Sequence, residues 1–437
     1  MDFTVTPSAV SDVTVKVPGD KSVSHRALML GGIADGTTEI SGFLAGEDCL
    51  ATLAAMAQMG VTMERDGATR VVVHGVGPHG LRAPDSDLDL GNSGTAMRLM
   101  AGLLSGQPFA ATLTGDESLT VRPMQRIIAP LTEMGAVIES RSGRPPLRIQ
   151  GRRPLKSLEY ELPVASAQVK SAILLAGLYA DGTTTVIEPA VTRDHTERMI
   201  GSMGGSIQTD GNRISVPGGQ VLQGGRIEVP ADLSSAAFVM LATLVAENAD
   251  VLIEGVGVNP TRTGVIDILQ AMGGDITLEN ARLFGEEPVA DIRVRSSALL
   301  GGPVDPALVS LAIDEFPVLF VAAAAAKGQT TFTGIGELRV KESDRIAAMA
   351  AGLQGLGVRV DESDDGAVVH GGAFGGGIVD SHGDHRIAMS LAIAGTIAGD
   401  PVRIRNVAAV DTSFPGFSEC LAALGVRIDT VGPGVEG

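Results

Sequence analysis

Lysine and arginine residues are concentrated where the sequence predicts that a helix begins. These cations are Lys21, Arg26, Arg122, Arg126, Arg193, Lys341, Arg345 and Arg386. The first backbone N–H groups of a helix lack partners and the helix dipole is positive there, so such positions bind anions. A cation at the same place opposes the dipole by a few tenths to about 1 kcal/mol. The set therefore indicates one or two substrates with several phosphate or carboxylate groups, although any single cation has a surface ion pair as its alternative.

Two spacings and two acids refine this hypothesis. Ser22 and Arg26, like Lys341 and Arg345, are four residues apart, which predicts that each pair shares a helix face. Asp314 is predicted to open one helix and Glu342 the next, and close carboxylates in a cationic cleft can be poised for proton transfer. Local sequence alone favours the structural alternatives, which are an N-cap for Asp314 and a first-turn acid for Glu342.

A repeat positions these residues. Six apolar helical stretches end in Met or Leu followed by glycine and then run into a β-branched stretch. The pairs are Met59-Gly60, Met134-Gly135, Met203-Gly204, Met272-Gly273, Leu356-Gly357 and Leu424-Gly425. Glycine supplies the left-handed conformation that ends a helix, and a second apolar helix precedes each of these. The pattern predicts six copies of a strand–helix–strand–helix module with one or two closing strands, in an α/β fold.

A higher symmetry predicts two domains. Val17-Pro18-Gly19-Asp20 and Val229-Pro230-Ala231-Asp232 head the first and fourth copies, so the chain divides into halves of three copies each. We expect an N-terminal domain over residues 20–230. The second domain would be discontinuous, formed by residues 1–19 and 231–437, because the first strand is expected to pair with the C-terminal half.

Composition excludes several classes of function. The formal net charge of the 437-residue chain is −18, which argues against nucleic acid or an anionic membrane as a partner. The longest apolar run, residues 318–326, is far too short to span a bilayer, and no signal peptide is visible. The only cysteines, Cys49 and Cys420, suit a reducing cytoplasm. No metal-ligand spacing and no nucleotide loop are present, so we expect neither a metal nor a cofactor.

The motifs together resemble a known family. In chain order, PGDKSVSHR, GNSGTAMR, DESLTVRPM, SAQVKSAILLAGL, TRDHTE, IDEFP, RVKESDR and DHRIAMS are similar to 5-enolpyruvylshikimate-3-phosphate (EPSP) synthases, most of all the bacterial class II branch. The resemblance covers about residues 13–427. It implies six βαβαββ units in two three-unit domains, an inside-out α/β barrel architecture with the active site in the interdomain cleft, and a monomer.

The resemblance also implies a reaction and its residues. These enzymes transfer the enolpyruvyl group of phosphoenolpyruvate to the 5-hydroxyl of shikimate 3-phosphate and release phosphate, on the route to chorismate and aromatic amino acids. Shikimate 3-phosphate is expected at Lys21, Ser22, Arg26, Ser166, Gln168, Arg193, Asp314 and Lys341. Phosphoenolpyruvate is expected at Lys21, Gly94, Arg122, Gln168, Arg345 and Arg386. Lys21, Asp314 and Glu342 are the expected catalytic groups, with Glu342 and Lys21 handling the enolpyruvyl proton and Asp314 the hydroxyl proton.

Two other functions and one further residue stay open at this point. A UDP-N-acetylglucosamine enolpyruvyl transferase is one alternative. That enzyme class is expected to have a Lys-Asn pair at the first helix, where this chain has Lys21-Ser22. A non-catalytic phosphometabolite-binding protein would keep the arginines without the two acids. Gly94 is expected in the turn before a helix. In the resembling family an alanine here accompanies tolerance of the inhibitor glyphosate, and the alternative is a glycine required only for a positive φ.

Overall fold

Two compact units make up the computed structural model, which describes residues 1–432. The unit called N-terminal here comprises Gly19–Val229 and Leu283–Glu287. The unit called C-terminal comprises Met1–Pro18, Pro230–Arg282 and the chain from Pro288 onward. Each unit has its own apolar core, built mainly from alanine, valine, leucine, isoleucine and methionine.

The helices are short and begin at the junctions where the cations lie. Over residues 1–432 the α-helices are α1 (Lys21–Ile33), α2 (Glu47–Gln58), α3 (Gly94–Ser105), α4 (Glu117–Thr120), α5 (Gln125–Glu133), α6 (Ala167–Gly177), α7 (His195–Ser202), α8 (Leu233–Val245), α9 (Gly264–Ala271), α10 (Val309–Ala312), α11 (Phe316–Ala325), α12 (Arg345–Gly355), α13 (His385–Thr396) and α14 (Phe417–Ala423). Short 3-10 helices occupy Pro306–Leu308, Gly336–Val340 and Val407–Thr412.

The strands are also short, as expected for a repeated small module. In the same described range they are β1 (Asp2–Thr6), β2 (Val13–Val15), β3 (Thr37–Ser41), β4 (Thr62–Asp66), β5 (Arg70–His74), β6 (Leu88–Asp89), β7 (Ala110–Thr114), β8 (Val137–Arg141), β9 (Arg144–Gln150), β10 (Leu155–Lys156), β11 (Glu159–Glu161), β12 (Ala180–Asp181), β13 (Thr183–Ile187), β14 (Gln208–Asp210), β15 (Arg213–Pro217), β16 (Arg226–Glu228), β17 (Asp250–Gly257), β18 (Asp275–Phe284), β19 (Glu287–Arg295), β20 (Gln329–Thr333), β21 (Val360–Ser363), β22 (Gly366–His370), β23 (Gly377–Asp380), β24 (Val402–Arg405) and β25 (Arg427–Val431).

One sheet pattern recurs through both units. In the part of the chain described, the N-terminal unit contains the sheets β16-β3-β5-β4, β6-β7-β9-β8 and β11-β13-β15-β14, and the small pair β10-β12. The C-terminal unit contains β2-β17-β19-β18, β20-β22-β21 and β23-β24-β1-β25. In the four-stranded sheets the first strand pairs in parallel with the second, and the second pairs antiparallel with the third. The predicted α/β class is therefore confirmed.

The glycine that follows each second helix adopts the predicted conformation. Helices α2, α5, α7, α9, α12 and α14 all end with Met or Leu at the C-cap. The next residue has a positive φ of between 78° and 109° at Gly60, Gly135, Gly204, Gly273, Gly357 and Gly425. A strand then begins within a few residues, so the repeat read from the sequence corresponds to one helix-to-strand turn used six times.

The other helix of each module is buried in the middle of its unit. In the N-terminal unit, α3 packs against α1 and α6, and nearly all side chains of these three helices are buried. In the C-terminal unit, α8, α11 and α13 pack against one another in the same way. Because their flanks are held by packing, the N-terminal turns of these helices provide rigid places for functional side chains.

Helix α3 approaches α6 so closely that only glycine fits at Gly102. A Cβ atom there would overlap the backbone carbonyl of Ala172. Replacing Gly102 with alanine should therefore destabilise the protein by about 2–3 kcal/mol, as overpacking does, and lower the thermal unfolding midpoint. Gly225→Ala is the matched control, because a Cβ there meets nothing within 4 Å. Equal midpoints for the two variants, measured by calorimetry, would contradict the close approach.

Candidate active site

The start of α1 presents three of the expected ligands of shikimate 3-phosphate. Asp20 caps the helix by accepting a hydrogen bond of 2.9 Å from the N–H of Val23. Lys21 is the first helical residue, and its Nζ lies 3.1 Å from Asp48 Oδ2. Ser22 and Arg26 do share a face, because Arg26 Nη1 donates to the Ser22 carbonyl at 2.9 Å.

Arg26 is almost completely buried, yet hydroxyl groups satisfy its guanidinium. Its Nε donates to Thr196 Oγ1 and its Nη2 to Ser171 Oγ, each at 2.7 Å. Burial lowers the pKa of Arg26 to about 10; the carboxylate of Glu197 opposes this shift and the positive charge of Arg193 adds to it. Arg26 thus stays charged at neutral pH, and its direct hydrogen-bond partners are neutral hydroxyl and carbonyl groups.

Beside Arg26, the buried His25 of α1 contacts residues of α2 and of the start of α3. His25 Nδ1 lies 2.8 Å from Thr52 Oγ1 of α2, and its Nε2 lies 3.4 Å from Ser93 Oγ, the N-cap of α3. Burial, helped by the charges of Lys21 and Arg26, lowers the pKa of His25 to about 3. The imidazole is therefore neutral and orients the helix starts rather than transferring protons near neutral pH.

Around Gly94 the expected phosphoenolpyruvate ligands form a hydrogen-bonded group. Arg98 Nη1 donates to Gln168 Oε1 at 2.6 Å and to the Gly94 carbonyl at 3.2 Å. Gln168 Nε2 donates in turn to Thr95 Oγ1 at 2.9 Å. Arg122 is buried between α4 and α5, and its Nη2 donates to Asn92 Oδ1 at 2.7 Å. The structure thus brings Gly94, Gln168 and Arg98 into contact at the starts of α3 and α6.

The position of Gly94 differs from the sequence-based expectation in two ways. It is the first residue of α3, after the Ser93 cap, and not part of the preceding turn. Its φ lies outside the left-handed region, so the alternative of a glycine needed only for positive φ is wrong. A Cβ at Gly94 would instead lie 2.8 Å from Arg98 Nη1 and 3.1 Å from Arg122 Nη1. The space beside Gly94 is therefore next to two guanidinium groups.

The remaining predicted residues of the N-terminal unit lie at other helix starts. Ser166 is the N-cap of α6 and accepts a 3.4 Å hydrogen bond from the N–H of Val169. Arg193 is half-buried and precedes α7 by two residues. Arg126 is exposed on the first turn of α5. The residues of this unit that are expected to bind shikimate 3-phosphate thus lie in α1, at the start of α6 and in the segment before α7.

In the C-terminal unit, the buried guanidinium of Arg345 lies close to three carboxylates. Its Nε donates to Asp384 Oδ2 at 2.8 Å, and its Nη2 donates to Glu342 Oε2 at 2.6 Å. Its Nη1 lies 3.7 Å from Asp314 Oδ1. Burial opposes the charge of Arg345, but these carboxylates outweigh burial and hold its pKa above the ordinary value. The two candidate acids, Asp314 and Glu342, therefore contact the same cation.

Asp314 and Glu342 are not placed as the sequence suggested. Helix α11 begins at Phe316 with Glu315 as its N-cap residue, so Asp314 lies in the turn before it. Helix α12 begins at Arg345 with Asp344 as its cap, so Glu342 lies in the preceding bend. The N-cap and first-turn alternatives are therefore wrong. Ion pairs with Arg345 hold both acids, but only the pair with Asp314 joins residues that are distant in the chain, since Glu342 is three residues before Arg345.

Lys341 also differs from expectation, because it precedes α12 and cannot share a helix face with Arg345. Its Nζ lies 4.0 Å from Asp314 Oδ1. Burial lowers the pKa of Lys341, and the charge of Arg345 adds to this effect while Asp314 opposes it. Arg386, in the first turn of α13, donates to the Asp314 carbonyl at 2.7 Å. Asp314 is thus contacted by Lys341, Arg345 and Arg386.

Sequence reasoning missed several residues that orient this site. Arg98 aligns Gln168, Asp48 pairs with Lys21, and Asp384 holds Arg345 while accepting from the N–H of Arg386 at 2.9 Å. Asp384 carried a signal, since an Asp before an apolar helix is an N-cap signature. Arg98 lies inside the motif GNSGTAMR, but its partner Gln168 is distant in the chain, as Asp48 is from Lys21.

Residues 1–432 offer little support for thiol or metal chemistry. Cys49 and Cys420 form no disulfide in that range, and burial raises the pKa of Cys420 to about 11, which makes its thiol a poor nucleophile. No group of three or more metal-ligating side chains is found in that range. None of the helices in that range is long and apolar enough to cross a membrane.

The chain is similar to a family of known proteins over nearly its whole length. The model of the family described as EPSP synthase (3-phosphoshikimate 1-carboxyvinyltransferase) matches residues 5–421. A 3-phosphoshikimate 1-carboxyvinyltransferase of Alkalilimnicola ehrlichii is 58% identical over 430 residues, covering 98% of this chain and 96% of the relative. One of Methylococcus capsulatus is 55% identical over 428 residues, covering 98% of each chain.

Solved structures agree with the sequence relatives. An EPSP synthase of Acinetobacter baumannii superposes with a TM-score of 0.87 at 51% identity, covering 98% of this chain and all of that one. A second structure of EPSP synthase from the same organism gives a TM-score of 0.88 at 50% identity, covering 99% of this chain. Because the family model spans nearly the whole sequence and the relatives match over nearly their full lengths, the chain belongs to the EPSP synthase family.

Proposed function

We propose that this protein transfers the enolpyruvyl group of phosphoenolpyruvate to the 5-hydroxyl of shikimate 3-phosphate by addition and elimination. In the addition, the hydroxyl oxygen bonds to C2 of phosphoenolpyruvate and C3 gains a proton. In the elimination, C3 loses a proton and the bond between C2 and the phosphate oxygen breaks. Family membership supports the reaction, and the contact of Asp314 and Glu342 with one guanidinium is the structural observation that carries it.

Two anionic substrates require cationic side chains to bind them. In the N-terminal unit, Arg26 is held by neutral groups, so its charge is available to the phosphate of shikimate 3-phosphate. We assign Ser22, Ser166, Gln168 and Arg193 of this unit to the same substrate. From the C-terminal unit we assign Asp314 and Lys341. Guanidinium groups suit this task because they bind phosphate and carboxylate with two parallel hydrogen bonds.

Phosphoenolpyruvate is assigned to the group around Gly94. Arg122, Gln168 and Lys21 supply donors in the N-terminal unit, and Gly94 permits close approach because it has no Cβ. From the C-terminal unit we assign Arg345 and Arg386. Residues of both units thereby serve one reaction, with no cofactor.

The acids are assigned to the two proton transfers. Asp314, whose carboxylate lies 4.0 Å from Lys341 Nζ and 3.7 Å from Arg345 Nη1, is the base for the 5-hydroxyl. Glu342, together with Lys21, transfers the proton at C3. Both acids are oriented by Arg345, and Arg345 is fixed by Asp384, so their geometry is set before the substrates bind. We further propose that the enzyme works as a monomer in the cytoplasm.

A phosphate-release assay tests the function. The protein is mixed with phosphoenolpyruvate and either shikimate 3-phosphate or UDP-N-acetylglucosamine, and liberated phosphate is measured. Release only with shikimate 3-phosphate is expected. Release only with the nucleotide sugar would identify the other enolpyruvyl transferase, and binding without release would indicate a phosphometabolite-binding protein.

Glu342→Gln should abolish most turnover while both substrates still bind. The amide keeps the shape of the side chain but cannot transfer the C3 proton, so kcat should fall by about 10²-fold or more. Glu362→Gln, an exposed acid that pairs with Arg339, is the control and should leave kcat unchanged. Near-normal kcat for Glu342→Gln at saturating substrates would remove Glu342 from the mechanism.

Arg122→Ala should weaken phosphoenolpyruvate binding. Loss of a charge-assisted hydrogen bond is worth about 1.5–3 kcal/mol, which corresponds to a rise in KM for phosphoenolpyruvate of about tenfold or more. Arg148→Ala removes an exposed arginine from β9 and serves as the control. A KM that rises for shikimate 3-phosphate but not for phosphoenolpyruvate would show that the two substrates are assigned the wrong way round.

Gly94→Ala should weaken the binding of glyphosate more than the binding of phosphoenolpyruvate. The added Cβ meets the ends of Arg98 and Arg122 and fills space that the longer inhibitor is expected to use. The inhibition constant for glyphosate should therefore rise more than the KM for phosphoenolpyruvate. Both constants are measured for the parent and the variant. Proportional changes in the two would mean that the alanine merely displaces the guanidinium groups.

A further inference from the structure

Beneath the shikimate 3-phosphate residues of the N-terminal unit lies a buried ion cluster formed by Lys170, Glu188 and Glu197. Lys170 Nζ lies 2.6 Å from Glu197 Oε1 and also pairs with Glu188. The three side chains are only 2%, 2% and 7% exposed. Burying three charges is expensive, and removal of one partner alone leaves an uncompensated charge. The cluster contains none of the residues assigned to substrate binding or catalysis above.

One side of the cluster supports Arg26. Lys170 immediately precedes Ser171 on α6, and Glu197 immediately follows Thr196 on α7. The hydroxyls of Ser171 and Thr196 accept the hydrogen bonds of Arg26, and Thr196 Oγ1 donates to Ser171 Oγ at 2.8 Å. The Lys170–Glu197 ion pair therefore links the two helices at the level of the two hydroxyls that orient the guanidinium.

The other side of the cluster supports Arg193. Glu188 accepts hydrogen bonds from the N–H of Thr192 at 2.8 Å and from its hydroxyl at 3.0 Å. Lys170 Nζ donates to the Thr192 carbonyl at 3.3 Å. The residue directly before Arg193 is thus bound through its N–H, its carbonyl and its side chain. These hydrogen bonds fix the backbone position of Thr192, and therefore the position of the half-buried Arg193 that follows it.

We propose that Lys170, Glu188 and Glu197 are positioning residues that hold Arg26 and Arg193 in the arrangement that binds the phosphorylated acceptor. The proposal rests on the proposed function, since that function supplies the ligand of these two arginines. A merely structural cluster would contribute to stability without selecting between substrates. A positioning cluster acts on the acceptor and much less on phosphoenolpyruvate, because Arg122 and Gly94 lie outside its contacts.

The test replaces all three charges at once by Lys170→Met, Glu188→Gln and Glu197→Gln in the full chain. Neutral groups of similar size in place of a buried ion triad are often tolerated without loss of stability. We expect a folded protein whose KM for shikimate 3-phosphate rises by about tenfold or more, the scale on which outer partners of ligand residues act in metal sites. The KM for phosphoenolpyruvate, measured at saturating acceptor, should change much less. Calorimetric titration with shikimate 3-phosphate should show the same loss without turnover.

Two further variants keep the result interpretable. Arg293→Met with Asp250→Asn removes an ion pair of the C-terminal unit and should leave both KM values unchanged. If the triple variant does not fold, Glu197→Gln alone carries the test, because it retains the Lys170–Glu188 pair and should still raise the acceptor KM selectively. A folded variant with unchanged acceptor affinity, or with both KM values raised equally, overturns the proposal. If the parent protein releases no phosphate, the proposed function is wrong and this inference is wrong with it. If the parent protein is active and the variant binds the acceptor as well as the parent does, only this inference is wrong.

Discussion

Burial of cationic side chains is the constraint on which the candidate site depends. A charge taken out of water is stable only when protein groups replace its hydration. The chain meets this requirement in two ways. Arg26 is surrounded by hydroxyl and carbonyl oxygens, whereas Arg345 and Lys170 are surrounded by carboxylates. These two solutions have different chemical consequences.

Neutral partners leave more of a cation's charge available to attract an anion than carboxylate partners do. Arg26, whose hydrogen-bond partners are neutral, therefore suits the phosphate that we propose it binds. Arg345 instead contacts Asp314 and Glu342, the two acids that we propose for proton transfer. Lys170 does neither directly and stabilises the protein segments that carry other ligands.

The repeat and the helix starts could be predicted because they depend on neighbours in the chain. Apolar periodicity and a glycine after Met or Leu are local signals, and all six such glycines adopt positive φ. The exact starts of α11 and α12 could not be predicted. Asp314 and Glu342 looked like helix-opening residues, but contacts with Arg345 hold them in irregular segments. The pairing of Lys170 with Glu188 and Glu197 was likewise hidden, since it depends on how α6, β13 and α7 pack.

The fourth module explains why not every helix start carries a substrate ligand. At the start of α8, Asp232 accepts from the N–H and hydroxyl of Ser235, and Arg262 donates to Asp232 at 3.3 Å and to Ser234 at 2.7 Å. Arg262 also lies 3.6 Å from Glu315. The cation that would attract an anion is thus already balanced by carboxylates of its own unit. At this helix start the protein supplies its own carboxylates, and none of the residues that we assign to the substrates lies there.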